Sequence, residues 1–410
     1  MANNIRTYIL YGLTAIFTMF VLIHGARTLN QQTPHFCDEA NWVALTSFYD
    51  IFIERDFENP QWHSFWGYDH PQFAKYIYGF ALTSWNADFS ASRDALIGHY
   101  FAEERTCMTT PVEPFEPYIV QMRNITTVLV VGSFLALAIV GILLSRLSII
   151  TLISPVFMLS HPLSEYLIVA TSDVFYICFF LISLIFFLLY VPRKKYIYFV
   201  WSAVAIGLSL ISKLTGLIYV VSYGLYMCAE MVWVRRWKAG LFKILVFGGI
   251  VTGIWFGSNP TLYYDSYNGS MNYFQQQAES VLIQQQQYEE WQRTSLPERT
   301  VISYAKIFPV AQSFPSALIH IMRLGLFLVG IWYSFRRSAQ GSMRHQFIIV
   351  ISFSSSLLLL LTLYLPWDRY LLPLVMSAMI FEILGLHAIY TWTTQKISGT
   401  FRHFLDTCIC

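Results

Sequence analysis

Long apolar runs separated by short polar connectors make up most of the chain. A helix of about 20 apolar residues crosses the ~30 Å hydrocarbon core of a bilayer. Ten runs approach that length, which predicts an all-α polytopic membrane protein. The runs fall at residues 7–26, 125–144, 147–163, 174–191, 196–212, 214–234, 241–258, 315–335, 346–366 and 370–393. The first run lacks the cleavage site of a signal peptide, so we interpret it as a retained span.

Two long polar segments, 27–117 and 259–314, interrupt this pattern. Within the first, Trp42, Leu45 and Phe52 recur at helical spacing across 40–53, and a second helical pattern covers 71–83. Phe73, Ile77 and Phe80 form its apolar stripe. Both patterns predict amphipathic helices that lie on the membrane surface with the apolar side down.

Charge adds an orientation to the predicted spans. The chain of 410 residues is 56% hydrophobic and 12% charged, with a net charge of +2, and nucleic acid is not an expected partner. The short connectors carry basic residues and no acid, which by the positive-inside rule predicts that they and both termini are cytoplasmic. These basic residues are Arg146, Arg193, Lys194, Lys195, Arg235, Arg236, Lys238, Arg336, Arg337 and Arg344.

The first polar segment is then extracytoplasmic, and it is acidic. It holds thirteen of the chain's twenty-four Asp and Glu residues against five Lys and Arg. It also contains Cys37 and Cys107, which either form a disulfide in an oxidising compartment or remain two thiols. This asymmetry places the expected chemistry at the extracytoplasmic surface.

Asp38 and Glu39 are the first candidate residues for that chemistry. They follow the first span and open the predicted 40–53 helix. Acids in the first turn of a helix are favoured by its dipole, which alone would explain them. The alternative is that one of them is a general base at the membrane surface.

Asp69, His70 and Lys75 form a second group of candidates, in the stretch "YDHPQFAKY". Helix capping can explain Asp69 or His70 but not Lys75. A lone surface lysine is usually solvated, whereas one beside acids and a histidine could bind the phosphate of a lipid-linked substrate. His70 with Asp69 or Glu39 could also bind a metal ion, although no spacing motif supports it.

Four further charged residues lie where predicted spans begin or end. Asp173 precedes the 174–191 run, and Lys213, Arg123 and Arg369 stand at extracytoplasmic ends. Each could simply mark a span boundary or extend to the interface. Together with the acids they form the mixture that phosphate chemistry needs, because cations stabilise a departing phosphate and a carboxylate deprotonates an attacking hydroxyl.

Several of these stretches match a known pattern in order. The acidic pair followed by "DHPQFAKYIYG" resembles the "DE … HPPL.K" signature of the GT-C glycosyltransferase superfamily, with Gln72 in place of the second proline. More closely, the pattern is similar to that of dolichyl-phosphate-mannose protein O-mannosyltransferases and of bacterial lipid A aminoarabinose transferases. Further matches, across residues 30–375, are Arg123, "ATSDVFYICFF", "GLSLISKLTGL", "NPTLYYD" and "RYLLPL".

The resemblance implies roles for the candidate residues. Asp38 would be the catalytic base, Glu39 would position the acceptor or a metal, and Asp173 would be a second catalytic acid. Donor phosphate would be bound by cations, and two residues would shape the pocket. The implied phosphate-binding residues are Lys75, Arg369, Lys213 and Arg123, and the implied pocket residues are Asp69 and His70. No cofactor is required, while a divalent metal held by Glu39 and His70 stays open.

The expected architecture is a GT-C fold with about ten transmembrane helices and surface helices in a long first loop. A catalytic module would cover 1–258 including the 27–117 loop, followed by an extracytoplasmic loop at 259–314 and C-terminal helices at 315–410. The resemblance implies a polyprenyl-phosphate-linked sugar donor and a lipid, glycan or protein acceptor. The absence of a large C-terminal domain disfavours the protein acceptor and favours a bacterial inner membrane.

Two other classes of protein fit parts of the pattern. A secondary transporter would also have many spans, but we find no inverted repeat and no charge near the middle of a broken span. A non-catalytic subunit of a glycan assembly complex would keep the fold without needing the acids. The sequence names neither the sugar nor the acceptor.

Overall fold

A computed structural model gives the fold of most of the chain. It describes residues 2–35, 37–64, 67, 71–85, 115–145, 147–159, 161, 164–263, 271–272, 275, 279, 294–309, 314–362 and 368–408. The predicted pocket residues Asp69 and His70 lie outside these ranges, as does Cys107, so the structure bears neither on their roles nor on the disulfide.

The described residues form α-helices joined by short turns, with no β-strand among them. In chain order the helices are α1 (Ala2–Gln32), α2 (Cys37–Leu45), α3 (Ser47–Ile53), α4 (Phe73–Trp85), α5 (Glu116–Leu144), α6 (Ile149–Leu159), α7 (Glu165–Ile168), α8 (Asp173–Arg193), α9 (Tyr196–Ser212), α10 (Leu217–Val234), α11 (Trp237–Ser258), α12 (Leu296–Ile307), α13 (Phe314–Ala339), α14 (Met343–Thr362) and α15 (Leu372–Cys408).

Eight of these helices are long and apolar enough to cross a membrane. They are α1, α5, α8, α10, α11, α13, α14 and α15. Eight of the ten predicted spans are thereby confirmed by length and composition within the described ranges. The chain is a multi-pass membrane protein, as its hydropathy predicts.

The other two predicted spans, α6 and α9, are shorter helices. α9 measures about 25 Å, and it ends at Lys213, which contacts the first residue of α8. α6 measures about 16 Å and contains Pro155, which removes a backbone donor. The chain nevertheless returns along α5, because Thr126 near the start of α5 bonds the carbonyl of Ile168.

The bundle therefore has two distinct ends. The Asp38 end, as we name it, holds Asp38, Arg123, Asp173, Lys213 and Arg369. The opposite, basic end holds the connectors that carry arginine and lysine. There Arg344 donates to the carbonyl oxygens of Leu143 at 2.7 Å and Leu188 at 3.2 Å, which closes the last turns of α5 and α8.

The predicted surface helices are present. The 40–53 pattern forms two helices, α2 and α3, and the 71–83 pattern forms α4. The residues that α4 buries include Ala74, Lys75 and Tyr78. On the apolar stripe predicted to face the membrane, Phe80 is 56% exposed, and α4 packs on the helix bundle through its other side.

Helices α13 and α15 cross in close contact. Gly330 and Gly385 lie at the crossing, and a Cβ added at either would collide with a backbone carbonyl of the other helix. Small residues at such crossings let transmembrane helices approach each other. Nearby, Arg323 of α13 and Glu382 of α15, both fully buried, form an ion pair at 3.1 Å.

Candidate active site

Asp38 and Arg369 form an ion pair at the Asp38 end of the bundle, which we also call its mouth. Asp38 lies in the first turn of α2, and Arg369 lies in the 3₁₀ turn Asp368–Leu371 that precedes α15. Arg369 Nη1 donates to Asp38 Oδ2 at 2.5 Å, and the two side chains are 19% and 25% exposed. The pair joins residues 331 positions apart and stays open to a ligand.

Asp173 and Lys213 form a second, deeper pair. Asp173 is the first residue of α8, and Lys213 follows the last residue of α9. Lys213 Nζ lies 2.5 Å from Asp173 Oδ1, and the Thr171 hydroxyl donates to Asp173 Oδ2 at 2.9 Å. Two groups thus hold this carboxylate in place, and the amide of Asp173 donates to the Thr171 hydroxyl, which fixes that hydroxyl.

The two pairs belong to one cluster of four charges. Lys213 interacts electrostatically with Arg369 and Asp38 as well as with Asp173. The ring of Tyr370 stands beside both cations, 5.1 Å from Lys213 Nζ and 5.7 Å from Arg369 Cζ. Two carboxylates and two cations are balanced, so a bound phosphate would compete with the carboxylates for the cations.

Glu39 and Arg123 form a third pair, which is fully buried. Arg123 Nε and Nη2 donate to the two Glu39 oxygens at 2.8 and 2.6 Å. The remaining N–H groups of Arg123 donate to backbone carbonyl oxygens at 2.7 to 3.2 Å, those of Asn30, Thr33 and Pro34. All five donors of the guanidinium are used within the protein.

The phosphate-binding role predicted for Arg123 requires an N–H group that a ligand can reach. An arginine with all five N–H groups bonded has none left for a ligand, and only 1% of its surface is exposed. Glu39 is equally enclosed, since its Oε1 also accepts the Ala170 amide at 2.6 Å. The pair fits a positioning role, because Glu39 adjoins Asp38 in the chain and bonds the segment that leads to Asp173.

The segment from Ile168 to Asp173 is fixed from three sides. Glu39 binds the Ala170 amide, Thr126 donates to the Ile168 carbonyl at 2.7 Å, and the Tyr78 hydroxyl donates to the Thr171 carbonyl at 2.9 Å. Buried backbone groups need such partners. The segment can therefore present Asp173 rigidly to Lys213.

Lys75 lies on α4, the helix whose Tyr78 bonds this segment, and it is not exposed. Its side chain is fully buried, with Nζ 4.4 Å from the centroid of the Phe48 ring. It shares the buried face of α4 with Tyr78, three residues on, which interacts electrostatically with Glu39 and Asp173. Lys75 thus joins the wall of the site through α4.

Among the described residues, no three His, Cys, Asp or Glu side chains form a group that could bind a metal ion. Glu39, one of the two expected ligands, is fully occupied by Arg123 and Ala170. Asp38 and Asp173 each face a cation. The described residues do not fit a resident metal, and His70, the other expected ligand, lies outside them.

Two solved structures share this architecture. Both are crystal structures of the Archaeoglobus fulgidus oligosaccharyltransferase, one in complex with zinc and sulfate and one in the apo form. The first covers 95% of this chain at a TM-score of 0.58 and 12% identity, and the second 94% at 0.57 and 12%. The chain shares the fold of the part of this archaeal protein that it matches. No protein-family model and no curated protein matches it.

This likeness confirms the predicted all-α GT-C fold and concerns the fold alone. The chain spans about half the length of the archaeal oligosaccharyltransferase, 51% and 52% of the two structures. The chemistry has to be argued from the site itself.

Several residues near the site are absent from the sequence prediction. Thr171, Tyr370 and Tyr78 contact the charged cluster, and all three are uncharged residues in or beside apolar runs. A pattern search for charges passes over them. Arg323 and Glu382 had a clear signal, since charged residues inside predicted spans are rare and default to a functional hypothesis.

Proposed function

We propose that the protein is an integral membrane glycosyltransferase that takes its sugar from a polyprenyl phosphate. The observation that supports this most is the four-charge cluster at the mouth of a transmembrane bundle, where Asp38–Arg369 adjoins Asp173–Lys213. A lipid-linked donor has its phosphate at that level, with its tail between spans and its sugar at the surface. An acceptor hydroxyl on a lipid, glycan or protein would enter from the same side.

In the proposed mechanism, the donor phosphate draws Arg369 away from Asp38 and frees the carboxylate. Asp38 then accepts the proton of the acceptor hydroxyl, whose oxygen attacks the anomeric carbon. The bond between that carbon and the phosphate oxygen breaks, with inversion at the carbon. The departing polyprenyl phosphate keeps the electron pair, and Arg369 and Lys213 stabilise its charge.

The other predicted residues take supporting roles in this proposal. Glu39 and Arg123 position Asp38, and Asp173 orients Lys213. Lys75 would contribute its charge from the wall of the site, and Asp69 and His70 stay proposed pocket residues. A divalent metal is compatible with the class, as a related fold was solved with zinc, but no step requires one.

We place the site on the extracytoplasmic face and both termini in the cytoplasm, in a bacterial inner membrane. The arginine-rich and lysine-rich connectors at the basic end support this orientation. The lipid-anchored donor and an acceptor held at one mouth would react faster through proximity. The archaeal oligosaccharyltransferase supports transfer of a glycan as one version of the reaction.

Transfer by purified protein in lipid nanodiscs tests the proposal. The probe is a polyprenyl-phosphate-linked sugar mixture, and mass spectrometry of glycolipids with and without the gene identifies the product. Asp38→Asn should lower the rate at least 100-fold, because the base is lost. Arg369→Gln should lower it comparably, whereas Arg337→Gln at the basic end is the matched control.

Unchanged transfer by both site variants would contradict the assigned roles. Solute uptake into sealed vesicles without any lipid donor would favour the transporter. An intact assembly complex that still works with Asp38→Asn would favour the non-catalytic subunit.

A further inference from the structure

A buried tyrosine hydroxyl lies below the charged cluster without a partner. Tyr219, in the first turn of α10, is fully buried, and its hydroxyl finds no hydrogen-bond partner among the described residues. Its ring stacks on Phe180 at 3.5 Å and 6°. A buried hydroxyl left unbonded is costly, and such a group in a native protein calls for an explanation.

The position of Tyr219 connects it to the cluster. Its ring lies 6.4 Å from that of Tyr176, whose ring in turn lies 5.8 Å from Lys213 Nζ. The Tyr176 hydroxyl interacts electrostatically with Asp173, Tyr219 and Tyr370. The hydroxyls of Tyr176 and Tyr219 therefore face the same region as the Asp173–Lys213 pair.

That region is the membrane side of the site. Phe180, on which Tyr219 stacks, lies seven residues after Asp173 in α8, or about 10 Å further along the helix toward the basic end. In the proposed function the lipid tail lies between the spans, so the head group of the donor would reach the charged cluster from this side. A phenol there can donate one hydrogen bond to an oxygen of that head group.

We propose that the Tyr219 hydroxyl donates a hydrogen bond to a head-group oxygen of the lipid-phosphate donor, and that this bond helps to fix the donor under Lys213. This inference rests on the proposed function. The accepting oxygen can belong to the phosphate or to the sugar, because both kinds of oxygen accept a hydrogen bond from a phenol. The stability lost by leaving the hydroxyl unbonded in the free protein is recovered as affinity when the donor binds.

Tyr219→Phe tests this with the loss of one oxygen atom. The matched control is Tyr223→Phe, one turn further along α10, because Tyr223 is equally buried but its hydroxyl accepts a bond from Ser183 at 2.9 Å. Without lipid, Tyr219→Phe should keep or raise the apparent Tm, whereas Tyr223→Phe should lower it. A tyrosine whose hydroxyl stabilises the fold would instead lower the Tm when that hydroxyl is removed.

The binding measurement uses two probes, polyprenyl monophosphate alone and the same lipid carrying mannose. Tyr219→Phe should weaken binding about tenfold, the effect of one lost hydrogen bond to a charged or polar oxygen. Tyr223→Phe should leave binding unchanged. A loss with both probes assigns the bond to the phosphate, and a loss only with the mannose-bearing lipid assigns it to the sugar.

Equal binding of both probes by wild type and Tyr219→Phe overturns the inference and leaves the proposed function standing. A lowered Tm with unchanged binding also overturns it, since an ordered water would then satisfy the hydroxyl. If wild-type protein binds neither lipid, the proposed function fails together with the inference.

Discussion

Single residues decide which carboxylate in this site can react. Asp38 and Glu39 are neighbours in the chain, yet Asp38 is 25% exposed beside Arg369, whereas Glu39 is fully enclosed by Arg123 and the Ala170 amide. A proton can be exchanged with a substrate only at an accessible carboxylate. The structure thereby separates two acids that their neighbouring positions in the chain do not tell apart.

Replacement of Arg123 should destabilise the protein strongly, because it leaves the Glu39 charge buried without its counter-ion. We expect Arg123→Gln to cost about 3–5 kcal/mol, as is usual when one partner of a buried pair is removed. The double variant Glu39→Gln/Arg123→Met should be less destabilised than Arg123→Gln, since no charge stays buried. Thermal unfolding in detergent measures both, with Arg337→Gln as the control.

An unchanged apparent Tm of Arg123→Gln would contradict the positioning role.

The sequence could identify Arg123 as a charge at the start of a span, because that requires only the position of an apolar run. It could not assign its partner. Glu39 is 84 residues away, and the backbone carbonyls that take the other donors carry no sequence signal.

At the scale of helices, the apolar runs predicted which helices exist better than they predicted which side of each helix contacts the bundle. Eight spans follow from length and composition because the bilayer sets the number of residues needed. The side of α4 that contacts the bundle did not follow, since the stripe of Phe73, Ile77 and Phe80 predicts only an apolar side toward the membrane, whereas the fully buried residue is Tyr78. In a membrane, apolar residues face lipid as readily as protein, so periodicity loses its usual meaning.

The contact between α13 and α15 depends on a buried ion pair. Glu382→Gln leaves the Arg323 guanidinium inside the bundle without a counter-charge, and we expect a loss of about 3–5 kcal/mol in stability. Thermal unfolding measures this, with the exposed Glu165→Gln as the control. If both variants melt at the temperature of the wild type, the pair does not hold the two helices together.

The whole molecule is organised by charge as much as by hydropathy. Acids and selected cations gather at the Asp38 end, and basic connectors without acids gather at the other. The sequence predicted this division because the positive-inside rule acts on loops and needs no tertiary structure. It could not predict that Arg369 reaches Asp38 across 331 positions, since helix packing alone brings the two ends of the chain together.

Orientation in the membrane can be measured by labelling at the two ends. In a cysteine-free background, Thr33→Cys at the Asp38 end should react with a membrane-impermeant maleimide added outside intact cells. Ser342→Cys, in the turn between α13 and α14 at the basic end, should react only after the membrane is opened, because basic connectors are retained in the cytoplasm. Labelling of Ser342→Cys from outside would invert the proposed orientation and move the cluster of Asp38, Arg369, Asp173 and Lys213 to the cytoplasmic face, where a donor presented outside could not reach it.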